Sequence, residues 1–362
     1  MNRRDFCTAT ATAAIGLALG ANARGQVRGV NASRLVIDGL GEVNLDYEPE
    51  LIDEIRASGM RGVVITLGNP ALQTPAAAYE DMEREWRGHE ERLRKMPDRL
   101  MRVTSVRDLD TAAKRNVIGL VYYLQNVALI GDDLAGLADL QEKGIRIIQL
   151  TYNMRNLVGD GCLERQNSGL STFGVELVER MNAMGLLVDL SHCGEATTLD
   201  GIETSKKPVA ITHSACKALF AHPRNKDDAT IRALADRGGV IGIFQINPYI
   251  GPKERNTLDD FLAHIDHAVK VGGVEHVGIG SDREHRRIPD TPEEKQKLID
   301  ELSRLRPVNA ASFRWPFFIS ELNHPRRMET IAEGLGKRGY KADAIDKILG
   351  GNFYRLFTET MG

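Results

Sequence analysis

The sequence predicts an α/β protein of the (β/α)8, TIM-type barrel class, with C-terminal helices packed outside the barrel. Three observations carry that expectation. Eight short β-branched runs alternate with amphipathic stretches of helical length over roughly 330 residues, the pattern of parallel strands joined by crossover helices. Two neighbouring runs, Leu186–Leu190 and Val209–Thr212, each lead into a histidine, His192 and His213, with a helix-length segment between them. Parallel strands joined this way place both imidazoles at one C-terminal sheet edge, where barrel active sites are built. The alternative is a doubly wound open sheet, but no G-x-G-x-x-G follows the first strand, which weakens a dinucleotide-binding reading.

The chain begins with a targeting pattern. Asn2-Arg3-Arg4-Asp5-Phe6 carries paired arginines, Thr8 to Gly20 is weakly apolar, and Ala21-Asn22-Ala23 offers a small-x-small cleavage site. Residues 1–23 therefore read as a twin-arginine signal peptide, placing the mature protein in the periplasm or another extracytoplasmic compartment. One barrel domain is expected over 34–358. Its strands are expected at Arg34–Asp38, Gly62–Leu67, Val117–Leu124, Ile145–Thr151, Leu186–Leu190, Val209–Thr212, Gly239–Gln245 and His276–Ser281. Helical stretches include Glu50–Ser58, Ala76–Arg94, Asp132–Lys143, Phe173–Met184 and Leu258–Val271. Charged Asp81–Arg102 reads as a solvated helix and turn, and Asp290–Arg306 as a charged helical insertion after the eighth strand. Trp315-Pro316-Phe317-Phe318 is an apolar cluster suited to covering the barrel mouth or to a homodimer contact. Arg326–Phe357 reads as two helices, broken at Gly339-Tyr340 and turned again at Gly350-Gly351-Asn352.

Composition excludes several partners. The chain has 362 residues, 42% hydrophobic and 27% charged, with a net charge of −3. That balance gives no electrostatic case for nucleic acid or an anionic membrane surface. Beyond the N-terminus no apolar run approaches the roughly 20 residues of a transmembrane span. Cys7 lies in the signal, leaving Cys162, Cys193 and Cys216, an odd number that argues against a complete disulfide framework. Cys193 and Cys216 read as soft ligands, as a disulfide or as small buried hydrophobes.

Polar residues just past the strands are the candidates for chemistry. They are Asp38 and Glu42, Gln125, Tyr152 and Asn153, His192, His213, then Arg224, Asn225 and Asp227, and finally Asp282, Arg283, Glu284 and His285. On spacing alone, two converging neutral imidazoles are either half of a metal site or strand-end caps bonded to backbone. His222, His264, His267, His276 and His324 read as surface or capping residues, whereas His285 follows Asp282 on the active face.

Several of these stretches resemble the membrane (renal) dipeptidase family of metal-dependent amidohydrolase barrels. They are LVDLSH at 187–192, AITHSACKAL at 210–219, RNKDD at 224–228, VGIGSD at 277–282 and KILGGNFYRLF at 347–357. Looser similarity covers 145–156 and 171–185. The resemblance implies two zinc ions: one on a His-x-Asp pair after the first strand, one on two histidines after strands five and six, with a bridging glutamate after strand three. His192 and His213 match the two histidines. Arg224 matches the arginine that holds the dipeptide carboxylate, with Asn225 beside it. Asp282 matches the aspartate that moves protons for the attacking water and the leaving amine. Such roles suit a planar guanidinium and a carboxylate near activated water.

The departures change the expected chemistry. The family's Asp-Gly-His-x-Asp stands here as Asp38-Gly39-Leu40-Gly41-Glu42, the bridging glutamate as Gln125, and the oxyanion histidine as Tyr152, whose phenol can still donate a hydrogen bond. Three of five ligand positions are altered, so a two-zinc centre is not expected. The resemblance then implies one zinc on His192 and His213, with Gln125, Asp282 or water completing the shell and Glu42 a weak further ligand. The implied function is an exported metallohydrolase cleaving a dipeptide-like amide in a small carboxylate. Two alternatives remain: a lyase or isomerase acting on a small carboxylate, and a non-catalytic binding protein on the same fold.

Overall fold

A computed structural model describes residues 35–304 and 313–362; the expected signal at 1–23 lies outside the described residues. The strands are β1 (Val36–Asp38), β2 (Met60–Thr66), β3 (Leu100–Arg102), β4 (Ile118–Leu124), β5 (Ile145–Gln149), β6 (Leu187–Asp189), β7 (Ala210–Ser214), β8 (Val240–Ile243) and β9 (Val277–Ile279). All pair in parallel, in the order β1-β2-β4-β5-β6-β7-β8-β9. The circle is brought together where Gly39 N donates to Ile279 O at 2.8 Å and Asp282 N donates to Leu40 O at 2.8 Å. This is the (β/α)8 barrel that the alternation of runs predicts. The ninth strand, β3, is an addition that pairs with the first half of β4. It falls inside the stretch read as a solvated helix and turn. That reading also missed His89 and Arg92, which are buried, Arg92 because its guanidinium bonds the carbonyls of Leu45 and Tyr47.

The helices are α1 (Pro49–Ala57), α2 (Pro75–Lys95), α3 (Val106–Arg115), α4 (Gly136–Glu142), α5 (Thr172–Met184), α6 (Glu195–Thr204), α7 (Asp228–Asp236), α8 (Asn247–Ile250), α9 (Leu258–Gly272), α10 (Pro292–Ser303), α11 (Arg327–Lys337), α12 (Ala342–Asp346) and α13 (Asn352–Met361). Local chemistry starts and stops them. Ser105 with Asp108 and Thr257 with Asp260 form capping boxes at α3 and α9, satisfying backbone donors that a helix start leaves free. Gly185 ends α5 at φ 70°, a left-handed conformation that glycine adopts without steric cost.

Strand alternation divides the apolar side chains between two cores. Val63, Ile65, Leu120 and Tyr122 face outward and pack with the helices. Ile37, Val64, Val121, Ile147, Leu187 and Val240 face the lumen, together with Phe353, Leu356 and Phe357 of α13. The C-terminal helices lie outside the strand wall, and α13 does so across the N-terminal end of the barrel. Its neighbours show this: Arg355 bonds the carbonyls of Gly238 and Glu275, and Lys207 bonds that of Thr360, all just ahead of strand starts. Phe353 reaches into the lumen against Gly39 and Gly278. The N-terminal end is thereby sealed, and the C-terminal end is left for the site.

Candidate active site at the C-terminal end of the barrel

The two histidines stand on a polar scaffold written into the D-L-S-H run. Asp189 is fully buried. It accepts from the Tyr123 hydroxyl at 2.5 Å, the Ser191 hydroxyl at 2.8 Å and Thr212 N at 2.7 Å, tying the ends of β6 and β7 together. Ser191 Oγ in turn accepts from His213 N at 3.1 Å, and the Gln149 side-chain carbonyl accepts from His192 N at 3.2 Å. The rings of His192 and His213 lie 4.9 Å apart between centroids, and Tyr152 stacks on His192 at 4.2 Å.

Both imidazoles have their Nδ1 engaged. His192 Nδ1 is 2.8 Å from Asn153 Oδ1; an amide oxygen only accepts, so Nδ1 carries a proton. His213 Nδ1 meets the Thr212 hydroxyl at 2.9 Å, while its Nε2 is buried without a hydrogen-bond partner. Burial, reinforced by Arg224 and Lys226, holds the His213 imidazole well below its ordinary pKa, hence neutral. A neutral His213 ring with an orphaned, buried Nε2 beside the His192 imidazole suits one borderline-soft cation.

The first-metal position is different. Leu40 is fully buried among lumen side chains. The Gln125 amide nitrogen is spent on Thr66 Oγ1 at 2.8 Å, leaving a neutral carbonyl as its ligand-capable end. Among the described residues no three His, Cys, Asp or Glu side chains converge as a metal-holding group. Leu40 thus offers no donor at this position, and Gln125 only a neutral one.

A cavity of about 440 Å³ opens over these residues. Glu42, Thr66, Gln125, Tyr152, Asn153, His192, Arg224 and Asp282 line its strand-end side. Arg224 is buried; its guanidinium bonds the Ser191 carbonyl and, at 3.2 Å, the His213 carbonyl, which fixes it beneath the histidines. Asp282 sits at φ 51° immediately after the barrel's closing hydrogen bonds. Burial pushes its carboxyl up to about 6, against the pull of Arg224 and with a further push from Asp38. Burial also raises Glu42 well above the carboxylate range, with Glu85, Asp282 and Glu284 adding to the shift.

The structure separates other sequence candidates from the cavity. Asn225 does not line it: its amide bonds the carbonyls of Phe220 and Tyr249, each at 2.9 Å, and so shapes the loop behind Arg224. His213 is fully buried and does not line the cavity. Asp38 and His285 are fully buried together with Arg327 of α11, which reaches Asp38 at 3.2 Å, Ser281 Oγ at 3.0 Å and His285 Nε2 at 3.4 Å. They lock the seam between β1 and β9. Cys162, Cys193 and Cys216 are all free thiols, the last two buried.

Several lining residues come from outside the strand ends. Glu85 belongs to α2, Tyr249 to α8, and Leu298, Glu301 and Leu302 to α10; Phe317 and Phe318 come from the apolar cluster. A search confined to strand ends does not reach them. The signal available was the apolar spacing 298, 299, 302 within a charged stretch.

The family model of the membrane dipeptidases, peptidase family M19, matches residues 36–306. The chain belongs to that family. An uncharacterized dipeptidase of Schizosaccharomyces pombe is 35% identical over 182 residues, 47% of this chain and 43% of that protein, so the match spans less than half of that relative. An amidohydrolase from Pseudomonas aeruginosa superposes with a TM-score of 0.79 at 28% identity, over 91% of this chain and 98% of that one. A metallopeptidase from Rhodobacter sphaeroides, solved with a phosphinate mimic of L-Ala-D-Ala, has a TM-score of 0.71 at 17% identity over 91% and 99%, a likeness of fold. No helix among the described residues is long and apolar enough to cross a membrane.

Proposed function

We propose that the protein is an exported hydrolase that cleaves the amide bond of a small, dipeptide-like carboxylate with one metal ion instead of two. The observation that carries this reading is the convergence of Arg224, Asp282, Tyr152 and His192 on one cavity, with neutral His213 beside His192. His192 and His213 would hold a zinc ion, with water and the Gln125 carbonyl as further donors. When bound, the ion supplies a Lewis acid for the scissile carbonyl and a more acidic water.

The remaining roles belong to side chains. Arg224, with its guanidinium held in place by two main-chain carbonyls, orients the substrate carboxylate. Asp282, with a carboxyl near 6, is ionised at neutral pH and takes the proton of the attacking water, then returns it to the leaving amine. The Tyr152 hydroxyl donates to the oxygen that gains charge in the tetrahedral intermediate. The paired arginines and small-x-small site at the N-terminus support export to the periplasm by a twin-arginine route.

Leu40 and Gln125 favour one competing reading, a binding protein that keeps the pocket without turnover. Elemental analysis and dipeptide hydrolysis, run on the mature protein and on His192→Ala and His213→Ala, separate the two. The hydrolase reading expects about one zinc per chain, lost with activity in both variants. Wild-type protein without metal and without turnover would leave the binding protein.

A further inference from the structure

Two further segments line the cavity beyond the strand ends. The first is α10. It starts at Thr291, whose hydroxyl accepts from Glu294 N at 3.4 Å, with Pro292 in the first turn. It is pinned to the loop after β9 by Arg286, which bridges Glu284 and Glu294, the latter at 3.0 Å. Ile299 faces inward and is buried. Residues at i, i+3 and i+4 share one helix face, and here that face carries Leu298, Glu301 and Leu302, all lining the cavity.

The second segment is Phe317-Phe318. Its backbone adds to the end of β8: Asn247 N donates to Phe317 O at 2.8 Å, Ile319 N donates to Gln245 O at 3.1 Å, and Ile246 bridges Phe318 antiparallel. The rings are braced. Phe317 meets Phe318 edge-on at 5.2 Å, and the Arg283 guanidinium lies 4.6 Å from the Phe318 ring centre. Ile246 and Tyr249 continue the same wall toward Arg224.

The cavity is thus polar at its strand-end side, while the wall built by α10, Phe317-Phe318, Ile246 and Tyr249 is apolar apart from Glu301. Its polar side needs little more than a backbone amide, a carboxylate and an amine. Ile246 and Phe317 are buried in the wall, whereas Leu298, Leu302, Tyr249 and Phe318 stay partly exposed; that is more apolar surface than such a ligand would use, and leaving it against water forfeits burial of roughly 25 cal/mol per Å². We propose that Leu298, Leu302, Ile246, Tyr249, Phe317 and Phe318 form a side-chain subsite, so that the substrate is a small carboxylate amide bearing a large apolar or aromatic side chain. This rests on the amide-hydrolase reading for the bond that is cut, but not for the preference itself.

The test compares Ala-Ala, Leu-Ala, Ala-Leu, Phe-Ala and Ala-Phe as substrates by kcat/KM, and as ligands by calorimetry on the His192→Ala variant. The subsite predicts that in at least one series kcat/KM rises by about tenfold or more from Ala to Leu or Phe, and that affinity follows the same order. Phe318→Ser should flatten the series. Leu302→Phe, which fills the space while keeping an apolar residue, should reverse it toward Ala-Ala. Equal use of all five dipeptides, or a preference untouched in both variants, would overturn the subsite while leaving the hydrolase reading intact. Graded binding without cleavage would support the subsite and remove the hydrolase. Absence of binding by every leucine and phenylalanine dipeptide would overturn the subsite.

Discussion

Asn153 Oδ1 lies 2.8 Å from His192 Nδ1, and this one contact places a proton on that nitrogen and orients the ring. A metal-ligating histidine usually has its second nitrogen held in this manner, and loss of such a partner costs about 10–100-fold in metal affinity. Asn153→Leu should therefore weaken zinc binding by that factor in a chelator competition, while Asn153→Asp, which keeps the acceptor, should retain it. Equal affinity in wild type and Asn153→Leu would show that the contact does not orient the ring.

The Asp282 carboxyl, raised to about 6 chiefly by burial, predicts an acid limb in the pH profile. Below that value it is protonated and cannot accept a proton from water. Activity should fall about tenfold per pH unit below it and level off above it. Asp282→Asn should remove most of the rate together with the inflection. A profile flat from pH 5 to 8 would take the role of base away from Asp282.

Arg224 predicts discrimination at the substrate carboxylate. Amidation of that carboxylate should lower kcat/KM by about 100-fold, in line with loss of a charge-assisted pair worth a few kcal/mol. Arg224→Lys should keep part of the binding and lose orientation, because a single ammonium cannot bond the Ser191 and His213 carbonyls and the substrate as a planar fork does. Indifference of the enzyme to amidation would move the carboxylate elsewhere.

The Asp38–Arg327 pair is fully buried, and removing one partner strands a charge. Arg327→Met should destabilise the fold by about 3–5 kcal/mol, read as a lower midpoint in urea. Asp38→Asn combined with Arg327→Met should recover part of the loss. A single-variant change under about 1 kcal/mol would contradict the locking role.

The barrel strands were legible because each is a short apolar run, rich in β-branched residues, between stretches of helical length. β3 was not: three residues in a charged stretch carry too little pattern, and it is seen only beside β4. α3 went unremarked although Ser105 and Asp108 carry its capping signal and Val106, Leu109 and Ala112 its buried face. In the site, His192, Tyr152, Arg224, Gln125, Glu42 and Asp282 could be found from position alone, because strand ends converge in a barrel. His285 and Asn225 share those positions yet turn inward or along a loop, a choice made by Arg327 in one case and by two backbone carbonyls in the other. Glu85, Leu298 and Phe318 reach the cavity through helix packing and an added strand-like segment, contacts between distant stretches that no local spacing encodes.

The Phe353 ring in the barrel floor has an evolutionary consequence. A side chain at Gly278 would place its first carbon 2.6 Å from that ring, and one at Gly39 would come closer still. Neither glycine can change while the phenylalanine stays, and shrinking the phenylalanine first opens a hole in the lumen. A change at any of those three positions therefore calls for a compensating change at another. The α10 face lies at the opposite end of the barrel, so changes at Leu298 or Leu302 alter the cavity without touching this floor.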